Sequence, residues 1–245
     1  MYFDQKEDLL RCGRNELVPE NPQIAENGVK GLLYYRCNNN QRHPDSALTY
    51  KDTMWISVQL YGSVPESQDT IFNCWNMIKI YDALYREKET RCDSAILASL
   101  EKGEQIFAPE HEETFDILAD MQHSIANMMP APQGFNGWKN KWKNHHGKGE
   151  YDRDNDFPDI YYLRAKEELP KMFKWINDHM VVYSLQCFKE FRTPWKDRHA
   201  NYKNMNPKPT IEVVERVARD MIEQIRDRAE LLSVKLPIYD DKIIL

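Results

Sequence analysis

Residues 123–139, HSIANMMPAPQGFNGWK, bring together side chains that could recognise a ligand. His123 lies four positions before Asn127, so a helix that continued this far would place both side chains on one face. Pro130 and Pro132 would end such a helix and leave carbonyl groups without helical partners, toward which polar side chains converge. A polar cleft is one possible outcome of this convergence. We predict that the wall of the cleft is formed by His123, Asn127 and Asn136, and its rim by Trp138 and Lys139.

The same side chains also have a structural interpretation. Asparagine side chains commonly form hydrogen bonds with loop backbone groups that a long connection cannot pair with itself. On this interpretation His123, Asn127 and Asn136 join a long loop to the end of a helix. The two interpretations differ in burial. Side chains with a structural role would be buried and bonded to the backbone, whereas the side chains of a binding site would open into a cleft.

A short basic segment follows, KNKWKNHHGK at 139–148, in which Lys141 and Lys143 flank Trp142. Tryptophan stacks on bases and lysine attracts phosphate, so these three residues are the candidate nucleic-acid contacts. The acidic segment EYDRDNDFPD comes next and could neutralise the lysines within the loop. The formal net charge of −6 argues against a protein whose whole surface binds nucleic acid. We therefore expect such binding only through this local loop.

The acidic segment also resembles the opening of a calcium-binding loop, with aspartates at positions 152, 154 and 156. Such a loop needs glycine at its sixth position and glutamate at its twelfth, where this chain has Phe157 and Leu163. The five cysteines are widely spaced and form no C-x-x-C pair. Glycine-rich phosphate loops, G-x-S-x-G and H-E-x-x-H motifs are also missing from the sequence. We therefore predict no metal site, no cofactor and reduced cysteines.

The segment HSIANMMPAPQGFNGWK resembles the His-[Ser/Thr]-Ile-[Gly/Ala]-Asn, Pro, Asn pattern of a group of bacterial helical proteins. The resemblance extends more weakly over the C-terminal half, including DNDFPDIYYLRA and NPKPTIEVVERVARDMIEQIRDRAELL. That family has no established activity, so the resemblance implies a helical fold and a location for the site, and no reaction. Ala126 stands where the family usually has glycine.

A shorter part of the motif is similar to the Gly-Asn-Leu…Asn segment of HNH nucleases from modification-dependent restriction systems. In that chemistry a histidine activates water and a metal ion stabilises the leaving phosphate oxygen. The resemblance would give these roles to His111, Asn127 and Asn136. However, PEHEETFDILAD, which contains His111, predicts the start of a helix where the nuclease has a strand. Metal-dependent phosphodiester hydrolysis is thus the enzymatic alternative.

Hydrophobic periodicity predicts the elements that position these residues. Apolar side chains recur three and four positions apart in five segments, which we predict as helices at 68–89, 91–102, 110–128, 167–192 and 210–233. Thr210 is placed to cap the last of them. Residues 47–62 are equally compatible with a short strand and with a helix. The predicted core contains Trp75, Ile78, Leu118, Phe173, Ile176, Met180, Phe188, Val214, Met221 and Ile225.

These elements predict an all-α or predominantly α fold. We expect an irregular multi-helix bundle with a long central loop and a small β-hairpin near the N-terminal third. A length of 245 residues suits one domain, in which 1–66 form an irregular N-terminal lobe and 67–245 the helical core.

The chain is 41% hydrophobic and 29% charged. Its sequence contains no apolar run of the roughly 18–20 residues that a membrane span needs. The N-terminus also has no apolar segment typical of a secretory signal. We therefore expect a cytoplasmic protein without membrane contact. Its expected function is non-catalytic binding, of a small molecule or a protein partner, through the polar cleft around 123–141.

Overall fold

The structure, a computed structural model, describes residues 5–11, 27–38, 56–63, 67–135, 157–194 and 207–236. Within these ranges the chain is predominantly helical, which confirms the predicted fold class. The helices are α1 (Gln5–Leu10), α2 (Gly28–Asn38), α3 (56–61), α4 (Cys74–Tyr85), α5 (Asp93–Glu101), α6 (Pro109–Met121), α7 (Pro158–Glu168), α8 (Pro170–His179), α9 (Cys187–Glu190) and α10 (Ile211–Lys235).

One small sheet accompanies the helices in the described ranges. Its strands, β1 (Ser67–Thr70) and β2 (Met128–Ala131), are antiparallel, with Ser67 opposite Ala131 and Thr70 opposite Met128. The first strand lies close to the predicted position of the sheet. Its partner follows α6, so the two strands come from separate parts of the chain. In the sequence, α4, α5 and α6 lie between them.

The longest described helix, α10, organises the core. Thr210 caps it by accepting a hydrogen bond from the Val213 backbone N–H at 3.4 Å, as predicted. Its apolar stripe packs against α4, α6 and α1, and it is formed by Val214, Val217, Met221, Ile222, Ile225 and Leu232. Nine of the ten predicted core residues are buried, and the tenth, Phe173, is partly buried against the same core.

The predicted helix at 167–192 is wrong as a continuous element. The chain leaves the helical conformation at Leu169, because the residue before a proline is disfavoured in the α region. After Pro170–His179 a turn intervenes, in which Ser184 has a left-handed φ of 53°. Lys235 donates to the carbonyl of Val181 and to the hydroxyl of Ser184, so α10 supplies partners for the turn.

Two other predicted helices are shorter than expected. The one at 68–89 begins at Cys74, because residues 67–70 pair in the sheet. The one at 110–128 ends at Met121, because the chain then passes through a 3₁₀ turn, Ile125–Asn127, into β2. Residues 56–61 are helical, which decides between the two interpretations of 47–62 for the part that is described.

Each helix in the described ranges is too short or too polar to cross a lipid bilayer.

Candidate functional site

Asn127 is a buried residue that joins the segment after β1 to the segment before β2, at one end of the sheet. Its side-chain oxygen accepts a hydrogen bond from the Phe72 backbone N–H at 2.9 Å. Its amide nitrogen donates to the carbonyl oxygens of Phe72 at 2.9 Å and Gln122 at 3.0 Å. The backbone oxygen of Asn127 also accepts from the Ile71 N–H at 2.8 Å. These bonds match the structural interpretation, since the side chain has no exposed surface.

Residues beside Asn127 hold the neighbouring helix ends. Gln122 accepts a hydrogen bond through Oε1 from the Cys74 N–H at 2.5 Å, which satisfies a donor in the first turn of α4. Ser124 donates to the Met121 carbonyl at 2.9 Å, close to the C-terminus of α6. Both side chains are fully buried. The described part of the motif therefore fixes where α4 and α6 lie relative to the sheet.

His123 lies inside the protein between aromatic rings. Only 1% of its surface is exposed, and its imidazole centroid is 5.4 Å from the Tyr35 ring and 5.8 Å from the Trp75 ring. Tyr35 belongs to α2 and Trp75 to α4, so the histidine fills the space where these helices meet the end of α6. The structure brings His123 and Asn127 into one buried region.

A buried arginine that the sequence analysis did not identify supports the same segment. Arg228 of α10 donates to the carbonyls of Ile125 at 3.2 Å, Ala126 at 2.5 Å and Tyr183 at 3.1 Å. It is 3% exposed, and desolvation lowers its pKa to about 10. In the sequence it looks like one more charge on a solvated helix face, and only its position on the apolar side of α10 could have indicated burial.

The remaining predicted site residues lie outside the described residues. They are Asn136, Trp138 and Lys139 of the proposed wall and rim, and Lys141, Trp142 and Lys143 of the basic segment.

His111, the histidine of the nuclease resemblance, is bound to a buried tyrosine. Its Nδ1 lies 2.6 Å from Tyr81 Oη, which also accepts a hydrogen bond from the Ala108 N–H at 3.3 Å. Desolvation raises the pKa of Tyr81 to about 12, so the phenol is neutral. Its proton is then best directed at His111 Nδ1, which assigns the imidazole proton to Nε2.

The described aspartate of the acidic segment has a structural partner. Asp159 is 6% exposed and accepts hydrogen bonds from the Thr193 N–H at 2.7 Å and hydroxyl at 3.0 Å. Burial raises the pKa of its carboxyl group above the usual range. No group of three or more histidine, cysteine, aspartate or glutamate side chains in the described ranges is arranged to hold a metal ion.

A cleft of about 350 Å³ opens between α2, the 102–108 loop and α6. We call it the α2–α6 cleft. Its floor is apolar and belongs to the core, since Val29, Ile106 and Phe107 are at most 4% exposed. The other lining residues include Asn27, Lys30, Leu100, Gly103, Glu104, Gln105, Glu112 and Asp116. Sequence reasoning missed this cleft because its lining comes from three separate segments.

Two aspartates of α6 fix the α2 wall of the cleft. Asp120 accepts a hydrogen bond from the Gly28 N–H at 2.6 Å, and Asp116 accepts one from the Val29 N–H at 2.8 Å. These carboxylates satisfy donors at the N-terminus of α2 and complement its dipole. Gly28 has a φ of +72°, and a Cβ there would lie 2.2 Å from Asp116 Oδ1. Only glycine permits this close approach.

The rim of the α2–α6 cleft is acidic. Among the described residues it contains the carboxyl groups of Glu104, Glu112 and Asp116, and one ammonium group, that of Lys30. Glu104 accepts a hydrogen bond from Ser99, and Lys30 lies 5.7 Å from the Tyr34 ring centroid. Desolvation raises the pKa of Asp116, and the nearby charge of Glu112 acts in the same direction. A cation at this rim would relieve the repulsion between the carboxylates.

A second depression, of about 760 Å³, lies beside the N-terminus of α10. Its lining residues, which include Tyr85, Glu87, Lys208 and Glu212, are exposed or half-buried. As far as the described lining shows, it has no buried apolar floor like that of the α2–α6 cleft, and such a floor is typical of ligand sites.

Comparison of the chain with protein-family models, with curated proteins and with solved structures gave no match.

Proposed function

We propose that this protein is a non-catalytic binding protein, and that the α2–α6 cleft is its ligand site. The observation that carries the proposal is an apolar floor of buried core residues beneath three rim carboxylates. Ligand sites in proteins are concave, mainly apolar and about 300–1,000 Å³ in volume, with a few polar groups that set orientation. We propose the cytoplasm as its location.

The chemistry of the cleft favours a ligand with an apolar body and a positive charge. The apolar lining, in which Leu100 is half-buried and retains exposed surface, would contact the apolar part, at about 25 cal/mol for each Å² removed from water. Glu112 and Asp116 would pair with the cation, and the partly desolvated Asp116 would gain most from it. A small aryl or alkyl amine and the side chain of a partner protein's lysine or arginine share this chemistry.

The motif around His123 and Asn127 would support such a site indirectly, because it holds the C-terminal end of α6. The N-terminal half of α6 lines the cleft, and its C-terminal end runs into Gln122, His123 and Asn127. The polar groups of these residues are directed at backbone and core, so they serve to position α6. The motif would thus contribute to ligand binding through the position of α6 and not through direct contact.

Two buried carboxylates outside the cleft, those of Asp82 and Glu215, are engaged in structural pairs, which supports a structural and not an acid–base role for them. Asp82, which has no exposed side-chain surface, binds both Arg86 and Arg91. Glu215 accepts hydrogen bonds from Thr114 and Arg219.

We do not favour the phosphodiesterase alternative. His111 Nδ1 is occupied by Tyr81, and both polar atoms of the Asn127 side chain are bonded to backbone. Labelled DNA or RNA incubated with magnesium or manganese should remain intact. Cleavage that is lost on His111→Ala would overturn the non-catalytic proposal.

Titration with phenethylamine, followed by amide NMR shifts, tests the cleft directly. We expect shifts at Val29, Ile106 and Phe107. Glu112→Gln should weaken binding several-fold because it removes a rim charge, whereas Glu113→Gln, an exposed neighbour that does not line the cleft, should leave affinity unchanged. Equal binding of neutral 2-phenylethanol, or shifts confined to other surfaces, would refute the acidic-cleft assignment.

A further inference from the structure

Two cysteines from different helices lie at the same end of a helix pair. Tyr34 Oη donates to Glu101 at 2.8 Å, and Arg36 Nε donates to Asp93 at 3.0 Å. The C-terminal part of α2 therefore advances toward the N-terminus of α5, and the two helices are antiparallel. Cys92 is the N-cap residue of α5, directly before Asp93.

Cys37 is on the side of α2 that faces α5. It follows Tyr34 by three positions, the spacing that places two side chains on one helix face. It also follows Arg36, whose partner Asp93 is adjacent to Cys92. Cys37 is half-buried and Cys92 is exposed, and both are free thiols. The other described cysteines, Cys74 and Cys187, are buried in the core.

The surroundings give the two thiols different reactivities. Cys92 Sγ lies 3.3 Å from the Ser94 hydroxyl. A hydrogen bond from Ser94, followed by one from the Ala95 backbone N–H, lowers the pKa of Cys92. At Cys37, desolvation and then the negative field of Asp93 raise the pKa, and a charge on Cys92 acts in the same direction. Cys92 is therefore the first thiol to ionise, and Cys37 remains protonated.

We propose that Cys92 and Cys37 form a hydroperoxide-responsive pair that closes to a disulfide between α2 and α5. The Cys92 thiolate attacks the outer oxygen of a hydroperoxide, the O–O bond breaks, and an alkoxide leaves and takes a proton from water. Cys92 is then a sulfenic acid. The Cys37 thiol attacks its sulfur, the S–S bond forms, and the hydroxide that leaves accepts the Cys37 proton to become water. Two thiols are oxidised to one disulfide while one hydroperoxide is reduced to an alcohol and water.

Peptide mapping of the full chain identifies the linkage. The reduced protein is treated with hydrogen peroxide, its remaining thiols are alkylated, and it is digested with trypsin without reductant. The Lys and Arg positions place Cys37 in peptide 37–42, Cys92 in 92–102, Cys12 in 12–14 and Cys187 in 175–189. We expect 37–42 linked to 92–102, and no modification of 175–189. Linkage of either peptide to 12–14 in place of the other would overturn the proposal.

Single variants separate the two chemical steps. Cys37→Ser should leave Cys92 as a sulfenic acid that dimedone traps, whereas Cys92→Ser should protect Cys37 from oxidation at the same peroxide concentration. Circular dichroism and thermal unfolding of both variants should match the wild type, because neither side chain is fully buried. Oxidation of Cys37 at an undiminished rate in Cys92→Ser would show that the thiols act separately and would refute the pair.

A denatured control tests whether the fold creates the pair. In concentrated urea the same treatment should give mixed linkages that include Cys12, because helix packing no longer selects a partner. If the 37–92 linkage predominates equally in urea, the contact between α2 and α5 is not its cause.

Discussion

Asn127 binds Phe72 through both polar atoms of its side chain, with two hydrogen bonds of 2.9 Å to the Phe72 backbone. Asn127→Asp keeps the size of the side chain but replaces its donor by an acceptor. The carboxylate would then face the carbonyls of Phe72 and Gln122 in a site without solvent. Each buried group left unsatisfied costs about 1–3 kcal/mol, so the free energy of unfolding should fall by at least about 2 kcal/mol.

Urea unfolding followed by circular dichroism measures this loss. Gln59→Glu is the matched control, because it makes the same change from amide to carboxylate at an exposed position. Equal urea midpoints for the two variants would show that the Asn127 bonds do not contribute to stability.

Gly28→Ala should destabilise the protein more than Gly62→Ala. Both glycines have a left-handed φ, of +72° and +74°, so alanine costs roughly 1–2 kcal/mol at either position. At Gly62 no atom of the described residues lies within 4 Å of the added Cβ, whereas at Gly28 the added Cβ would lie 2.2 Å from Asp116 Oδ1. Thermal unfolding of the two variants therefore separates backbone strain from the collision. Similar melting temperatures would mean that Asp116 moves away at little cost.

Asp82→Asn should cost about 2–3 kcal/mol, because it leaves Arg86 and Arg91 without the charge that they share. The arginines retain some solvent contact, which keeps the expected loss below that of a fully buried pair. Asp178→Asn breaks an exposed pair with Lys174 and should change stability by no more than about 0.5 kcal/mol. Chemical denaturation of both variants provides the comparison, and equal losses would contradict the burial argument.

Alkylation of Cys92 should depend on pH with a midpoint below the ordinary thiol pKa of 9.0. The sign follows from the lowered pKa, since thiolate is the reactive form and is populated at lower pH. Cys37, with a raised pKa, should react with a midpoint above 9.0. Ser94→Ala removes the first cause of the Cys92 shift and should move its midpoint upward. Iodoacetamide labelling with mass spectrometry follows both cysteines in one sample, and coincident midpoints would contradict the assignment.

Hydrophobic periodicity was sufficient to predict most of the helical core. It placed Ile78, Val214, Met221 and Ile225 correctly in the interior, and the polar residue before α10 correctly indicated the cap at Thr210. These features are local, so the sequence contains them. The same periodicity failed between His179 and Cys187, because Met180 and Tyr183 face the core although their segment is a turn.

The pairing of the sheet strands and the position of the cleft were not predictable in the same way. The strand sequence SQDT has little β propensity, and its partner is selected by long-range packing and by Asn127. The cleft depends on how α2 meets α6, which Gly28, Asp116 and Asp120 determine only after the fold has formed. The ligand-wall and structural interpretations of Asn127 required the same residue types, and only its hydrogen bonds distinguish them.

The β1–β2 pairing has a consequence for folding kinetics. The bond from Phe72 to Asn127 spans 55 positions, and the chain between them forms α4, α5 and α6. Bringing such distant segments together costs loop entropy until the intervening helices have packed, so the pairing should form late. Substitutions in it should then accelerate unfolding while leaving the folding rate almost unchanged. In stopped-flow experiments the small sheet would control how long the native state lasts, whereas the helices control how quickly it is reached.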